Sequence, residues 1–337
     1  MNHVEIPVGY RTNMSRYETQ KYIGLIKRLF EDTLCGALNL RHVSSPLFLD
    51  AASGLNDDLN GIERPVCFDI PVIGREAQVV QSLAKWKRYA LMRYGFPIGQ
   101  GLCTDMNAIR RDEEMDNLHS IYVDQWDWEK VIRLEDRNLN YLRATVKDIV
   151  NAICDVDHTL RQIVPAIENL PALQRDVTFI TAQELEDKYP DLTVPDREYE
   201  FVKTHQAVFI IGIGDTMKSG QKHDGRAPDY DDWNLNGDLY FWNSVLETPF
   251  EVSSMGIRVS PESLERQLKL SGCEAREKLM FHKLLLEGKL PYSIGGGIGQ
   301  SRLCMLLLGK AHIGEVQVSV WDDDTIERCK TAGVRLL

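Results

Sequence analysis

Three stretches of this 337-residue chain place side chains where they could act on charged ligands. The first, IRRDEEMDNLHSIYVDQWDWE (109–129), ends in a strand-like alternation. Alternate strand residues share a face, so Gln125 and Asp127 point the same way, beside Ile121 and Val123. Trp126 and Trp128 face the other way and can pack. A carboxylate and an amide on an otherwise apolar face cost free energy unless something satisfies them, and a bound α-amino group would. The plainer reading is an edge strand with a wet face. Arg110 and Arg111, ahead of Asp112, Glu113 and Glu114, read by themselves as a solvated charged loop. The second stretch, GDLYFWNSVLETPFEVSSMGIRV (237–259), sets Asp238 at the start of one strand and Glu251 on the next, with Ser254 and Arg258 following. Mg²⁺ takes one or two carboxylates plus phosphate oxygens, and an arginine neutralises a phosphate tail. Taken alone, these residues are more simply strand-end charges. The third, SIGGGIGQSRLCMLLLG (293–309), is a glycine run opening into an apolar helix. It lacks the sixth-position glycine of a dinucleotide fingerprint, having Arg302 there, and too little chain follows for a βαβ unit. With no Gly-Lys-Ser/Thr it is not a P-loop either. The glycines allow close backbone approach to a ligand, and Arg302 on the first helical turn can stack on a base or meet a phosphate. The alternative is a turn before a core helix.

Elements must position these groups. Apolar periodicity predicts helices over 13–39, 83–94, 138–164, 261–269 and 275–287, and a capping box of Thr181 and Glu184 starts another. Strands are expected at 66–70, 77–82, 120–128, 207–212, 238–245 and 250–259. The strands come in hairpin-like runs, which predicts an α+β fold with a mostly antiparallel sheet flanked by helices. The chain is 43% hydrophobic and 26% charged, enough for a sizeable core. The longest apolar run, 207–214, is strand length, and the N-terminus lacks a signal-peptide core, so no membrane association is expected. Seven cysteines without a CxxC pair, and no histidine at metal-ligand spacing, point to a reducing cytoplasm. A net charge of −11 argues against a broad nucleic-acid surface.

In this order the three stretches resemble the class II aminoacyl-tRNA synthetase catalytic core. Arg110 to Asp112 and the following strand resemble its second signature motif, Gly297 to Arg302 its third, and Pro46 in HVSSPLFLD the proline of its first, dimer-forming motif. The runs DDLNGIERPV, SLAKWKR, YVDQWDWE, RAPDYDDW, SSMGIRV and GGGIGQSRL further resemble the aspartate–ammonia ligases, the ammonia-dependent asparagine synthetases, from about residue 15 to 321. Counted from Arg110, the second motif reads Arg-Arg-Asp where the synthetases have Arg-x-Glu, which leaves open which arginine grips phosphate.

The resemblance implies a single class II synthetase-like catalytic domain over 1–337, acting as a homodimer in the cytoplasm. The first core helix begins near residue 13, leaving no room for an anticodon-binding domain, so tRNA binding is not expected. Asn2 stands where a glutamine-dependent enzyme needs its amidase cysteine, so free ammonia is the expected nitrogen source. A carboxylate is a poor electrophile, and ATP would activate the β-carboxylate of aspartate as an adenylate, releasing pyrophosphate, before ammonia attacks. By resemblance Arg110 grips the α-phosphate and the attacking carboxylate. Asp238 and Glu251 hold Mg²⁺ with Ser254 nearby, Arg258 binds the β- and γ-phosphates, and Arg302 stacks on adenine. Lys87 holds the α-carboxylate of aspartate beside Ser82, while Gln125 and Asp127 hold its α-ammonium. Lys85 and Lys87 do not share a helix face, so at most one enters the site, and such basic faces are usually solvated. Asp57, in NDDLNG, receives ammonium and helps generate NH₃, with Asp58 left in solvent. Asp231, in HDGRAPDYDDW, is a further acid grouped with the ATP-binding residues, without a fixed role. A tRNA-charging relative and an inactive paralogue are the alternatives. The missing anticodon domain weighs against the first, and intact Arg110, Gln125, Asp127, Asp238, Glu251 and Arg302 against the second.

Overall fold

The structure, a computed structural model, describes residues 4–57, 59 and 63–337. Asn2 and Asp58, both given meaning above, lie outside the described residues. In chain order the strands are β1 (Leu40–His42), β2 (Phe48–Asp50), β3 (Cys67–Ile70), β4 (Arg75–Val79), β5 (Gly101–Ile109), β6 (Tyr122–Val131), β7 (Thr178–Thr181), β8 (Ala207–Ile211), β9 (Asp231–Asn243), β10 (Thr248–Arg258) and β11 (Ser293–Gly299). The helices are α1 (Arg16–Leu38), α2 (Ala84–Tyr94), α3 (Leu139–Ile163), α4 (Ala182–Lys188), α5 (Val194–His205), α6 (Pro261–Leu270), α7 (Met280–Leu286), α8 (Gln300–Leu307) and α9 (Asp323–Thr331).

The main sheet runs β1-β5-β6-β11-β10-β9-β8-β7, and a smaller one runs β2-β4-β3. Only its end pairs, β1 with β5 and β7 with β8, are parallel; the pairs between them are antiparallel, as the hairpin-like runs predict. α1 begins at Ser15, whose hydroxyl accepts from the Glu18 N–H while the Glu18 carboxylate takes the Ser15 N–H, satisfying two otherwise orphaned donors. It ends at Asn39 with φ 58°, a left-handed conformation that asparagine tolerates. α1 and α3 lay their apolar stripes on one face of the sheet, where Trp126 and Trp128 of β6 are buried and the Phe30 ring lies 4.7 Å from Trp126. The other face carries the site. A second apolar cluster under α2, α6 and α7 and a third under α4 and α5 flank it.

The helix expected over 275–287 is broken. A 3₁₀ turn, Glu274–Lys278, is followed by extended Leu279 and then α7. The break lays the Leu279 side chain on Gly54, where an added Cβ would come within 3.0 Å of it. All seven cysteines are free, and among the described residues no helix is long and apolar enough to cross a membrane.

His312 is wholly buried, and its Nδ1 accepts from the Gly314 N–H at 3.0 Å, capping a short 3₁₀ turn. Burial holds its pKa down at about 4, against an ordinary 6.5. The unfolded chain therefore binds a proton that the folded chain refuses. The corresponding stability, about 3 kcal/mol by linkage, is full above pH 6.5 and is lost as pH falls toward 4. His312→Asn keeps a capping acceptor but cannot titrate. Urea unfolding at pH 7, 6, 5 and 4.5 should show the native protein losing stability more steeply than the variant; parallel losses would rule His312 out.

Candidate active site

The alternation on β6 aims Gln125, Asp127 and Glu129 away from the two tryptophans. Gln125 and Asp127 line a cavity of about 510 Å³. Asp127 Oδ1 accepts from Lys87 Nζ at 2.7 Å, while Oδ2 accepts nothing among the described residues. Lys87 also donates to the Gly296 carbonyl at 2.7 Å. The basic face of α2 is buried, not solvated. Lys85 pairs with Asp229 at 3.4 Å and Arg88 donates to the carbonyls of Pro291 and Val259, so that only Lys87 of the two lysines lines the cavity. Removing one partner of the Lys87–Asp127 pair would leave an uncompensated buried charge, at a cost of about 3–5 kcal/mol. Ser82 lies at the start of α2, its Oγ accepting from the Ala84 N–H.

The glycine run proves to be a strand, not a loop. β11 pairs with β6 so that Gly295, Gly297 and Gly299 lie opposite Glu129, Asp127 and Gln125. A Cβ on Gly295 would fall 1.9 Å from Glu129 Oε2 and 2.6 Å from the Arg258 guanidinium; one on Gly297 would fall 2.2 Å from Gln125 Oε1. None of these glycines has positive φ, so space, not backbone freedom, demands them. Gly296, Gly297 and Gly299 also line the cavity, so this strand makes room for neighbouring side chains and at the same time presents bare backbone to the site.

Arg258 also departs from expectation. It donates from Nε and NH2 to Glu129, which also accepts from the Ser293 hydroxyl, and from NH1 to Asp231. It is 2% exposed, and although it lines the cavity its donors are committed to two buried carboxylates. On the ladder, Asp231 faces Arg258 whereas Asp238 faces Ser254. Four residues of strand separate those rungs, roughly 13 Å. The structure therefore does not bring Arg258 to the Asp238–Glu251 pair.

Another arginine stands there. Arg226, in the segment before β9, pairs with Asp238 at 2.5 Å and lines the cavity. Burial raises the Asp238 pKa, and the Glu251 charge adds to the shift against the pull of Arg226. Glu251 accepts from the Ser254 hydroxyl at 3.1 Å. Burial opposes its ionisation, but Arg302 and then Arg226 hold its pKa below the ordinary carboxylate value. Arg302 donates to the Glu251 carbonyl at 3.1 Å and to His119 Nε2 at 2.8 Å, while His119 Nδ1 is held by Asp116 at 2.9 Å. Since Nε2 accepts, the imidazole carries its proton on Nδ1. Sequence reasoning missed Arg226 and His119. The one signal for Arg226 was a lone arginine among the aspartates of HDGRAPDYDDW.

Arg110 follows β5 and lines the cavity, with Glu113 at 3.7 Å and, among the described residues, no partner for its Nε. Arg111 is exposed and outside the lining. Asp112 faces away, its carboxyl held at about 2 by hydrogen bonds from Arg64. Asp57 is 2% exposed and lines the cavity. The Asn56 side-chain oxygen accepts from the N–H groups of both Asp57 and Gln81 at 3.0 Å, fastening the two segments. Burial, and next the charge of Asp57, push the Tyr230 phenol upward, so it stays protonated. Among the described residues no group of three or more His, Cys, Asp or Glu is assembled for a metal. Asp238, Glu251 and Ser254 together offer two carboxylates and a hydroxyl, which fits Mg²⁺ when phosphate oxygens complete its shell.

This sheet, with a cavity reached by Arg110 after β5 and Arg302 on the helix after β11, has the fold of the class II aminoacyl-tRNA synthetase catalytic core. The asparaginyl-tRNA synthetase of Entamoeba histolytica superposes with a TM-score of 0.62 at 15% identity, covering 90% of this chain and 67% of that one. That of Pyrococcus horikoshii, complexed with asparaginyl-adenylate, gives 0.59 at 16%, covering 88% and 68%. The chain thus spans about two thirds of these synthetases. A family profile described as aspartate-ammonia ligase matches residues 17–333. The aspartate–ammonia ligase of Clostridium perfringens strain 13 is 57% identical over the whole of both chains. That of Lactobacillus johnsonii is 56% identical over 98% of this chain and 99% of its own. The chain belongs to the aspartate–ammonia ligase family.

Proposed function

We propose that the protein makes L-asparagine from L-aspartate, ammonia and ATP through a β-aspartyl-adenylate, releasing AMP and pyrophosphate. The observation that carries this reading, beside family membership, is one cavity that sets an amino-acid pocket against a polyanion pocket. The Lys87–Asp127 pair presents one charge of each sign, matching the α-carboxylate and α-ammonium of an amino acid, with Gln125 and Ser82 beside it. Arg110 faces the same space with spare donors, suited to gripping the α-phosphate and the β-carboxylate that attacks it. Positioning and charge stabilisation are the protein's task in such a displacement. Arg302, steadied by His119, would stack on adenine. Asp238 and Glu251, with Ser254, would hold Mg²⁺, whose chemistry is to neutralise phosphate charge. Asp57 would take a proton from ammonium so that neutral ammonia attacks the adenylate. Arg258 holds Asp231 and Glu129 at the amino-acid end. Incubation with aspartate, MgATP and ¹⁵N-ammonium should yield labelled asparagine, AMP and pyrophosphate, and glutamine should not replace ammonium. Appearance of ADP and phosphate instead would overturn the adenylate.

We also propose a homodimer. Pro46 leads into β2, and on the small sheet Leu47 and Phe48 at β2, Phe68 of β3, and Val72 and Ile73 in the turn between β3 and β4 are all exposed, with the Phe48 and Phe68 rings 5.2 Å apart. Such a contiguous apolar patch marks an interface, and a second copy related by a two-fold axis would cover it. Light scattering at micromolar concentration should give twice 38.5 kDa; the mass of one chain would refute it.

A further inference from the structure

Asp238 and Glu251 are each already covered by an arginine. Arg226 holds Asp238 through NH2, and Arg302 lies 3.8 Å from the Glu251 carboxylate. A guanidinium and a divalent cation compete for the same carboxylate oxygen, since both are attracted to one negative charge and repel each other. Of the two arginines, Arg302 is built into α8 and braced by His119 and the Glu251 carbonyl. Among the described residues Arg226 has no such bracing. It sits beside Gly225 in the segment between β8 and β9, outside any strand or helix and beyond the isolated Thr216–Lys222 bridge. Its Nε has no partner among the described residues, and Gly225, Arg226 and Ala227 all line the cavity. Arg258 is held away from the far end of a triphosphate by Glu129 and Asp231.

We propose that Arg226 is an exchangeable counter-charge. It neutralises Asp238 until MgATP enters, then gives that carboxylate to the cation and moves its guanidinium onto the β- and γ-phosphate oxygens. Resting on the reading of Asp238 and Glu251 as the cation site, the exchange assigns to Arg226 the phosphate contact that the sequence gives to Arg258. The planar fork suits this trade, because carboxylate and phosphate present similar paired oxygens. It also couples the two ligands. Before nucleotide arrives, Arg226 keeps a free cation weakly bound; once phosphates offer the arginine another partner, that competition ends.

The experiment is metal binding without nucleotide, with Mn²⁺ as the probe followed by electron paramagnetic resonance. Arg226→Gln should bind Mn²⁺ about tenfold tighter than the native protein, a coupling within the usual range. With Mg²⁺ present, the same variant should bind ATP about tenfold more weakly in calorimetry. Opposite signs for the two ligands are what the exchange requires and what a merely structural arginine cannot give. Arg226→Lys keeps the charge and loses the fork, so its Mn²⁺ affinity should stay near native while ATP binding weakens; it serves as the reading should Arg226→Gln not fold. Mn²⁺ binding that is abolished by Asp238→Asn but unmoved by Arg226→Gln sinks the exchange alone. Mn²⁺ binding unaffected by Asp238→Asn sinks the cation site, and the exchange with it.

Discussion

Arg110→Ala should abolish aspartate-dependent exchange of pyrophosphate into ATP, with a loss of about 10²–10³ in rate or more. The guanidinium faces the cavity with a spare donor and little structural duty. Its backbone N–H already closes the turn by donating to the Ile121 carbonyl at 2.8 Å, and its side chain touches Glu113 only at 3.7 Å. Alanine therefore removes the clamp on the charge that develops at the α-phosphate without opening the core. Stability should stay within about 0.5 kcal/mol of native, as for surface positions. Asparagine formation must fall in step, because no adenylate is left for ammonia to attack. Exchange surviving within a few-fold of native would remove Arg110 from the chemistry.

Asp57→Asn should separate the half-reactions. Exchange should remain largely intact, because the amide keeps the shape and the Asn56 oxygen still pins the backbones of residue 57 and Gln81. Asparagine formation should slow by about 10²–10⁴, the usual contribution of a general base, since an amide neither attracts ammonium nor takes its proton. Both variants need to be compared at matched oligomeric state and folded content. Exchange lost as completely as with Arg110→Ala would move Asp57 to aspartate or ATP binding and leave the ammonia site unassigned.

Regular periodicity made much of this fold legible. α1 and α3 follow their apolar stripes to within three residues at each end, and the alternation on β6 separated Gln125 and Asp127 from the two tryptophans. β5 escaped notice because Leu102, Cys103, Thr104, Met106 and Ala108 are all buried, so its pattern does not alternate cleanly. The glycine run was half legible, because glycine signals two things alike, a backbone that approaches a ligand and a space another side chain fills, and Gly297 both lines the cavity and makes room for Gln125. Arg258 was misplaced for a different reason. Sharing a strand with Glu251 implies distance along the strand, and only the pairing register with β9 reveals which acid each residue meets. Arg226 reaches Asp238 from outside any element, so no spacing rule could have linked them.

β11 imposes a one-way rule on any attempt to change what this pocket accepts. A wall made of side chains can be trimmed or extended. A wall of consecutive glycines has nothing to trim, so β11 can narrow the pocket but never widen it. Narrowing is abrupt, since a single methyl at Gly295 or Gly297 already overlaps Glu129 or Gln125. Variants that admit a bulkier amino acid must therefore arise on the facing side, from α2 or the 224–231 segment. Substitutions on β11 will surface in selections only as losses.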